Sequence, residues 1–175
     1  MEKVLAGLNW KICLIYLDDI IVTGKTFSDM ITNLDAVLTK LEEAGLKLKP
    51  RKCQLFAREV EYLGFIISNK GIKTDPKKIE VVKNWPQPKT VKDVKSFLGF
   101  CSYYRRFIEN FSKIAKPLHR LSEKGQKFSW SQECESSFIN MKQKLVTAPV
   151  LMHPDFSKPL ILDTDASNFA IAGVL

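Results

Sequence analysis

Ile12-Cys13-Leu14-Ile15-Tyr16-Leu17-Asp18-Asp19-Ile20-Ile21-Val22 carries the strongest structural signal in the chain. Two short apolar runs, rich in β-branched residues, flank a pair of adjacent carboxylates. Runs of this length and composition read as buried strands. The segment therefore predicts a hairpin with Asp18 and Asp19 on its tight connection, at the edge of a sheet core. Like charges so close repel, and each favours solvent. Two readings of the pair stay open at this point. One is a solvated turn, where Asp is common. The other is a divalent ion: Mg²⁺ is held by one or two carboxylates plus substrate phosphates rather than by a full protein cage, and that arrangement suits phosphoryl transfer.

Working outward, Met30, Leu34, Val37 and Leu41 recur at helical steps, with Ile31 and Leu38 widening the stripe. Gly45 is placed to end this helix as a left-handed cap. Leu46-Lys47-Leu48-Lys49 alternates like a strand closed by Pro50, and Gln54–Phe56 and Glu59–Ser68 read as two more strands. Asn69-Lys70-Gly71 is a turn signal leading into Gly71-Ile72-Lys73. Near residue 74 the composition changes. Asp75 and Pro76 form an N-cap and first-turn proline, and Trp85-Pro86-Gln87-Pro88 is a stiff linker. Thr90 caps a second helix with Val94, Phe97, Leu98, Cys101 and Ile108 on its apolar side. Lys92, Lys95, Gly99, Ser102 and Arg106 step by three and four along the other side. Two further helices cover roughly 112–121 and 131–146. After Ala148-Pro149, residues 160–165 and 169–175 read as strands that open a new unit. The fold class is α+β.

The chain has 175 residues, 45% of them apolar, enough for a packed core. No apolar run approaches the roughly 20 residues that span a bilayer, and the N-terminus lacks the layout of a signal peptide. These features place the protein inside the cell, without a membrane partner. Cys13, Cys53, Cys101 and Cys134 match no zinc or CxxC spacing and are expected to be reduced and mostly buried. The net charge of +8 is concentrated: residues 73–120 hold twelve Lys/Arg against four Asp/Glu. A localised basic field points to a polyanion such as nucleic acid, the alternative being lysines that only solubilise helices. On the helix face, Lys92, Lys95 and Arg106 would contact phosphates and release counterions. Gly99 would let the backbone approach a groove, or would tolerate a close helix crossing. Asp163 and Asp165 share one face of a strand, with Asp165 near its end, as a metal ligand or as ordinary turn chemistry.

Taken in order, several segments resemble the reverse transcriptase of gypsy-type LTR retrotransposons and, more distantly, of retroviruses. They are Val4-Leu5-Ala6-Gly7-Leu8, Ile15–Val22, Ala44–Leu48, Lys52-Cys53, Tyr62-Leu63-Gly64-Phe65 and Gly71-Ile72-Lys73. They continue with Ser96–Phe100, Tyr103-Tyr104-Arg105-Arg106-Phe107, Thr147–Leu151 and Asp163-Thr164-Asp165-Ala166-Ser167. The resemblance implies the C-terminal half of a polymerase palm over 1–73, a helical thumb over 74–148, and the first strands of a truncated RNase H domain over 149–175. It implies that Asp18 is the main metal-binding carboxylate, Asp19 its companion, and that Tyr16 lies against the primer end. Leu63, Gly64 and Phe65 would form the primer grip, residues 92–106 the helix that tracks the minor groove, and Asp165 the first RNase H carboxylate.

The implied cofactor is Mg²⁺ in a two-metal site, with Mn²⁺ as a substitute. The implied partners are an RNA or DNA template–primer duplex, dNTPs and the rest of a Pol polyprotein, in a cytoplasmic retroelement particle or the nucleus. Against the family pattern, Met1 aligns within the palm helix before the hairpin. Fingers, the first catalytic aspartate and the remaining RNase H acids would lie outside the sequence, so the chain alone is expected not to polymerise. Phe169-Ala170-Ile171-Ala172-Gly173 also stands where the family has small residues. The alternative function is a non-enzymatic nucleic-acid-binding remnant of a retroelement.

Overall fold

The computed structural model describes residues 1–166 and 171–174, with backbone alone at 165, 171, 172 and 174. The chain divides into two compact units, Met1–Leu55 and Phe56–Leu175. Each combines helices with antiparallel strands, an α+β architecture.

In the first unit, β1 (Cys13–Tyr16) and β2 (Asp19–Val22) pair antiparallel with Cys13 opposite Val22 and Tyr16 opposite Asp19. The two-residue connection is Leu17-Asp18, so Asp18 lies on the turn and Asp19 opens the second strand. Helix α1 (Phe27–Glu43) starts in a capping box between Thr26 and Asp29. It ends where Gly45, at φ 68°, allows the Leu46 amide to reach the Leu41 carbonyl at 2.9 Å and the Gly45 amide to reach Glu42 at 2.8 Å. Leu5, Cys13, Val37 and Leu41 form the buried core, flanked by Val4, Ile12, Ile15 and Ile20. Ile31 and Leu38 face outward instead of widening the stripe, because a helix packed on a single hairpin buries only a narrow strip. Leu46–Lys49 forms no strand: among the described residues no neighbour supplies a hydrogen-bonding ladder, Leu46 and Leu48 are exposed, and a short 3₁₀ turn follows at Pro50–Lys52.

In the second unit, β3 (Glu59–Tyr62), β4 (Phe65–Ser68) and β5 (Gly71–Thr74) form a meander. The single strand expected over 59–68 is thus a hairpin broken at Leu63-Gly64, and Gln54–Phe56 is irregular, with Phe56 at φ 55°. Helices α2 (Pro76–Lys83), α3 (Val91–Tyr103), α4 (Phe111–Leu121) and α5 (Gln132–Val146) follow. Val82, Val94, Phe97, Leu98, Cys101, Phe107, Leu118, Phe138, Met141 and Leu145 form one buried core, against which Phe65 and Ile72 of the meander pack. The composition boundary at residue 74 therefore falls inside this unit. After α5 the chain returns to β5, where the backbones of Ile72 and Leu151 exchange two hydrogen bonds of 2.8 Å. Gly71, at φ 128°, sits at this crossing, and a Cβ there would lie 2.2 Å from the Leu151 carbonyl oxygen. The last hairpin pairs β6 (Asp163–Ala166) with β7 (Ile171–Val174).

Candidate catalytic hairpin and nucleic-acid interface

The β1–β2 turn presents its polar groups outward. Tyr16 is 52% exposed and Leu17 74%, and Asp18 and Asp19 are exposed as well. Leu17 takes φ 52°, a conformation that costs a side-chain-bearing residue about 1–2 kcal/mol. That cost is met by the apolar packing of Ile12, Ile15, Ile20 and Val22 behind the turn. Neither carboxylate has a hydrogen-bond or ion-pair partner among the described residues, and no third His, Cys, Asp or Glu joins them in a cluster among those residues. Asp29 is occupied as the cap of α1, accepting from the Thr26 amide at 3.1 Å. Two free carboxylates on adjacent residues fit the half-open donor set that Mg²⁺ uses when substrate phosphates complete its shell.

The second tight turn, Leu63-Gly64, has both residues at positive φ, 50° and 73°, as a two-residue hairpin of the type I′ class requires. Its carbonyls are tethered from the end of α3. The Tyr103 hydroxyl donates to the Leu63 carbonyl, and the Tyr104 hydroxyl donates to the Gly64 carbonyl at 2.9 Å. Phe65 stacks on Tyr103 with centroids 5.1 Å apart, meets Tyr104 edge-on at 5.4 Å and reaches Phe107 at 6.0 Å. Burial, with Tyr103 and Asp75 nearby, pushes the Tyr104 hydroxyl up to about 12. Beside the turn lies a cleft of about 270 Å³ lined by Leu63, Gly64, Lys78, Phe100, Tyr103 and Tyr104. Asp75, 1% exposed, caps α2 by accepting from the Lys77 amide at 2.9 Å.

Helix α3 begins in a capping box of Thr90 and Asp93. Hydrogen bonds from the backbone amides of Lys89, at 3.0 Å, and Thr90, at 2.9 Å, hold the Asp93 carboxyl below the usual carboxylate range. Lys92, Lys95 and Gly99 lie exposed on one face, with Ser102 half-buried at its end. A Cβ at Gly99 would meet nothing within 4 Å, so no helix crosses there among the described residues, and that explanation of the glycine falls away. Arg106 is exposed but lies in the 3₁₀ turn Arg105–Phe107, because α3 ends at Tyr103. The expected helix over 92–106 is shorter: burying Tyr104, Phe107 and Ile108 in the core turns the chain off the helix axis. Asp165 lies in β6 opposite Ala172; its side chain, like the residues at 167–170, is outside the described set. Sequence reasoning assigned no role to Tyr103 and Tyr104. The available signal was two adjacent tyrosines at a helix end, since a buried tyrosine hydroxyl needs a partner.

A family model described as reverse transcriptase (RNA-dependent DNA polymerase) matches residues 1–67, and one described as the RNase H-like domain found in reverse transcriptase matches residues 130–175. Residues 1–67 and 130–175 thus carry reverse transcriptase family sequence, and the relatives are Pol polyproteins of LTR retrotransposons, gypsy among them. It is 40% identical over 175 residues to the retrovirus-related Pol polyprotein from transposon 412 of Drosophila melanogaster, covering all of this chain and 14% of that protein. It is 37% identical over 188 residues to the Pol polyprotein from transposon gypsy of the same fly, covering 100% of this chain and 18% of the relative. The Tf2-3 polyprotein of Schizosaccharomyces pombe is 38% identical over 91% of this chain and 12% of its own length. The chain therefore spans less than a fifth of these relatives. Among solved structures, the foamy viral protease–reverse transcriptase in complex with double-stranded DNA aligns over 95% of this chain and 29% of that one, with a TM-score of 0.82 at 30% identity. The same viral protein with an RNA/DNA hybrid gives 0.79 at 30% identity, over 95% of this chain and 23% of that one. Among the described residues, no helix is long and apolar enough to cross a membrane.

Proposed function

We propose that this chain supplies the catalytic hairpin, primer grip and duplex-tracking helix of an RNA-directed DNA polymerase that extends a primer with dNTPs on RNA or DNA templates. The observation that carries the reading is the pair of exposed, unpartnered carboxylates at the tip of a strained two-residue turn. Solvation alone would be served by one acid and a glycine. Asp18 and Asp19 would hold Mg²⁺, or Mn²⁺ in its place, and a two-metal site built on them would supply activation of the primer 3′-hydroxyl and charge stabilisation for the leaving pyrophosphate. Tyr16, at the end of β1 and opposite Asp19, offers an exposed ring to the primer end. Leu63, Gly64 and Phe65 form the turn that carries the primer terminus. Lys92 and Lys95 contact phosphates, with Ser102 as a hydroxyl partner and Arg106 as a further cation beyond the helix, while Gly99 lets the backbone close on the duplex. The segments 1–73, 74–148 and 149–175 act as palm, thumb and opening of the RNase H domain, and Asp165 is that domain's first catalytic carboxylate. The setting is a Pol polyprotein in a cytoplasmic particle or the nucleus.

A second reading, duplex binding without catalysis, is favoured by the open face at Gly99 and the net +8 between residues 73 and 120. Primer extension on poly(rA)/oligo(dT) by a Pol polypeptide containing this chain separates the two. Catalysis requires that Asp18→Asn abolish incorporation while leaving duplex affinity unchanged. Incorporation that survives Asp18→Asn refutes the catalytic reading and leaves the binding one.

A further inference from the structure

Leu63 is an unusual choice for a turn position at φ 50°. Asn, Asp or Gly takes such a conformation at lower cost, and a residue kept in an unfavoured region needs surroundings that hold it there. The surroundings are specific. Two consecutive turn carbonyls, Leu63 and Gly64, accept hydrogen bonds from two consecutive tyrosines, Tyr103 and Tyr104, forty residues further on. With both carbonyls held, neither turn peptide can flip without breaking a bond. Gly64 suits the turn for a second reason besides its φ of 73°: a Cβ there would sit 3.0 Å from the Tyr104 hydroxyl, which would have to give by a few tenths of an ångström. The ring of Phe65 then locks the first residue of β4 against Tyr103, Tyr104 and Phe107. Tyr104 is buried, so its hydroxyl cannot leave the Gly64 carbonyl for water without cost.

We infer that Tyr103 and Tyr104 are positioning residues, which set the Leu63-Gly64 turn from the end of α3 and thereby place the primer terminus. The inference rests on the assignment of Leu63–Phe65 as the primer grip. It adds that the helix meeting the duplex and the turn meeting the primer end are one mechanical piece. Rigid positioning matters because a displacement of about 1 Å at a reacting terminus can cost on the order of a hundredfold in rate.

The test uses the full chain and the variants Tyr103→Phe, Tyr104→Phe and the double variant, which keep every ring and remove only the hydroxyls. Hydrogen exchange at the backbone amides of residues 62–66 is measured beside fluorescence anisotropy with a recessed-3′ primer–template and a blunt duplex of equal length. The expected result is exchange faster by about tenfold at the turn alone. The preference for the recessed end falls by about threefold or more, while blunt-duplex affinity and circular dichroism stay unchanged. Unchanged exchange overturns the inference, as does a preference that the variants retain. A wild-type chain with no preference for a recessed 3′ end overturns the primer-grip assignment and this inference with it. If the double variant does not fold, Tyr103→Phe, at an exposed ring, carries the same measurements.

Discussion

Replacing Gly99 with Ala should make the protein more stable and its duplex binding weaker, two effects of opposite sign from one methyl group. Gly99 lies inside α3 with ordinary helical φ, and a Cβ built there meets nothing within 4 Å. The methyl therefore neither clashes nor gains packing in the free chain. What remains is helix propensity, where Gly to Ala in a helix interior is worth about 0.5–1 kcal/mol. For a chain of this size that corresponds to roughly 2–4 °C in Tm per kcal/mol. In urea the midpoint should rise with the slope unchanged. If the α3 backbone approaches a duplex at van der Waals distance, the same methyl must push the two apart. A three- to tenfold loss of affinity, about 0.7–1.4 kcal/mol, is then expected. The salt dependence should keep its slope, because no charge has changed. Unfolding and anisotropy titrations at several salt concentrations read both effects. A variant that gains stability and binds as tightly as the parent refutes the close approach. A variant that gains no stability refutes the open space around Gly99.

Other outcomes follow from the same geometry. Changing Lys92, Lys95 and Arg106 together to Ala should lower the slope of log K against log salt by about 0.9 for each phosphate no longer neutralised; an unchanged slope would remove α3 from the interface. Gly71→Ala should destabilise the second unit by about 2–4 kcal/mol, through a backbone at φ 128° closed to side chains and disruption of the Ile72–Leu151 pair; a denaturant midpoint within error of the parent would contradict the crossing. Burial pushes both the Cys101 thiol and the Tyr104 hydroxyl up to about 12, from 9.0 and 10.0. Both favour the protonated form in the folded state, so their contribution is complete below pH 9. It declines as each unfolded-state group ionises, and is lost as pH passes about 12, on the order of a few kcal/mol in all. Stability measured across that window should flatten in Cys101→Ala and Tyr104→Phe; a parent whose stability does not fall there would refute the shifts.

Much of the fold was written in local pattern. The acid pair between β-branched runs marked the first hairpin, Asp75-Pro76 and Thr90 marked two helix starts, and Gly45 marked a helix end. Each is a short-range preference with its own physical cause, which the structure shows at those residues. The alternation of Leu46–Lys49 misled, because a strand exists only where a neighbour completes its ladder, and none does among the described residues. Arg106 was legible as a cation but not as one off the helix, since the break after Tyr103 comes from packing Phe107 and Ile108 into the core.

By itself, the sequence determined the chemistry at hand: two carboxylates on a turn, cations and a glycine on one helix face, and a family order of segments specific enough to be recognised. Tertiary structure alone decided that Leu63 and Gly64 are tied to Tyr103 and Tyr104 across forty residues, and that the space around Gly99 is open. Pairings between distant segments leave no periodic trace in the chain, and empty space beside a helix depends on what the rest of the fold leaves uncovered.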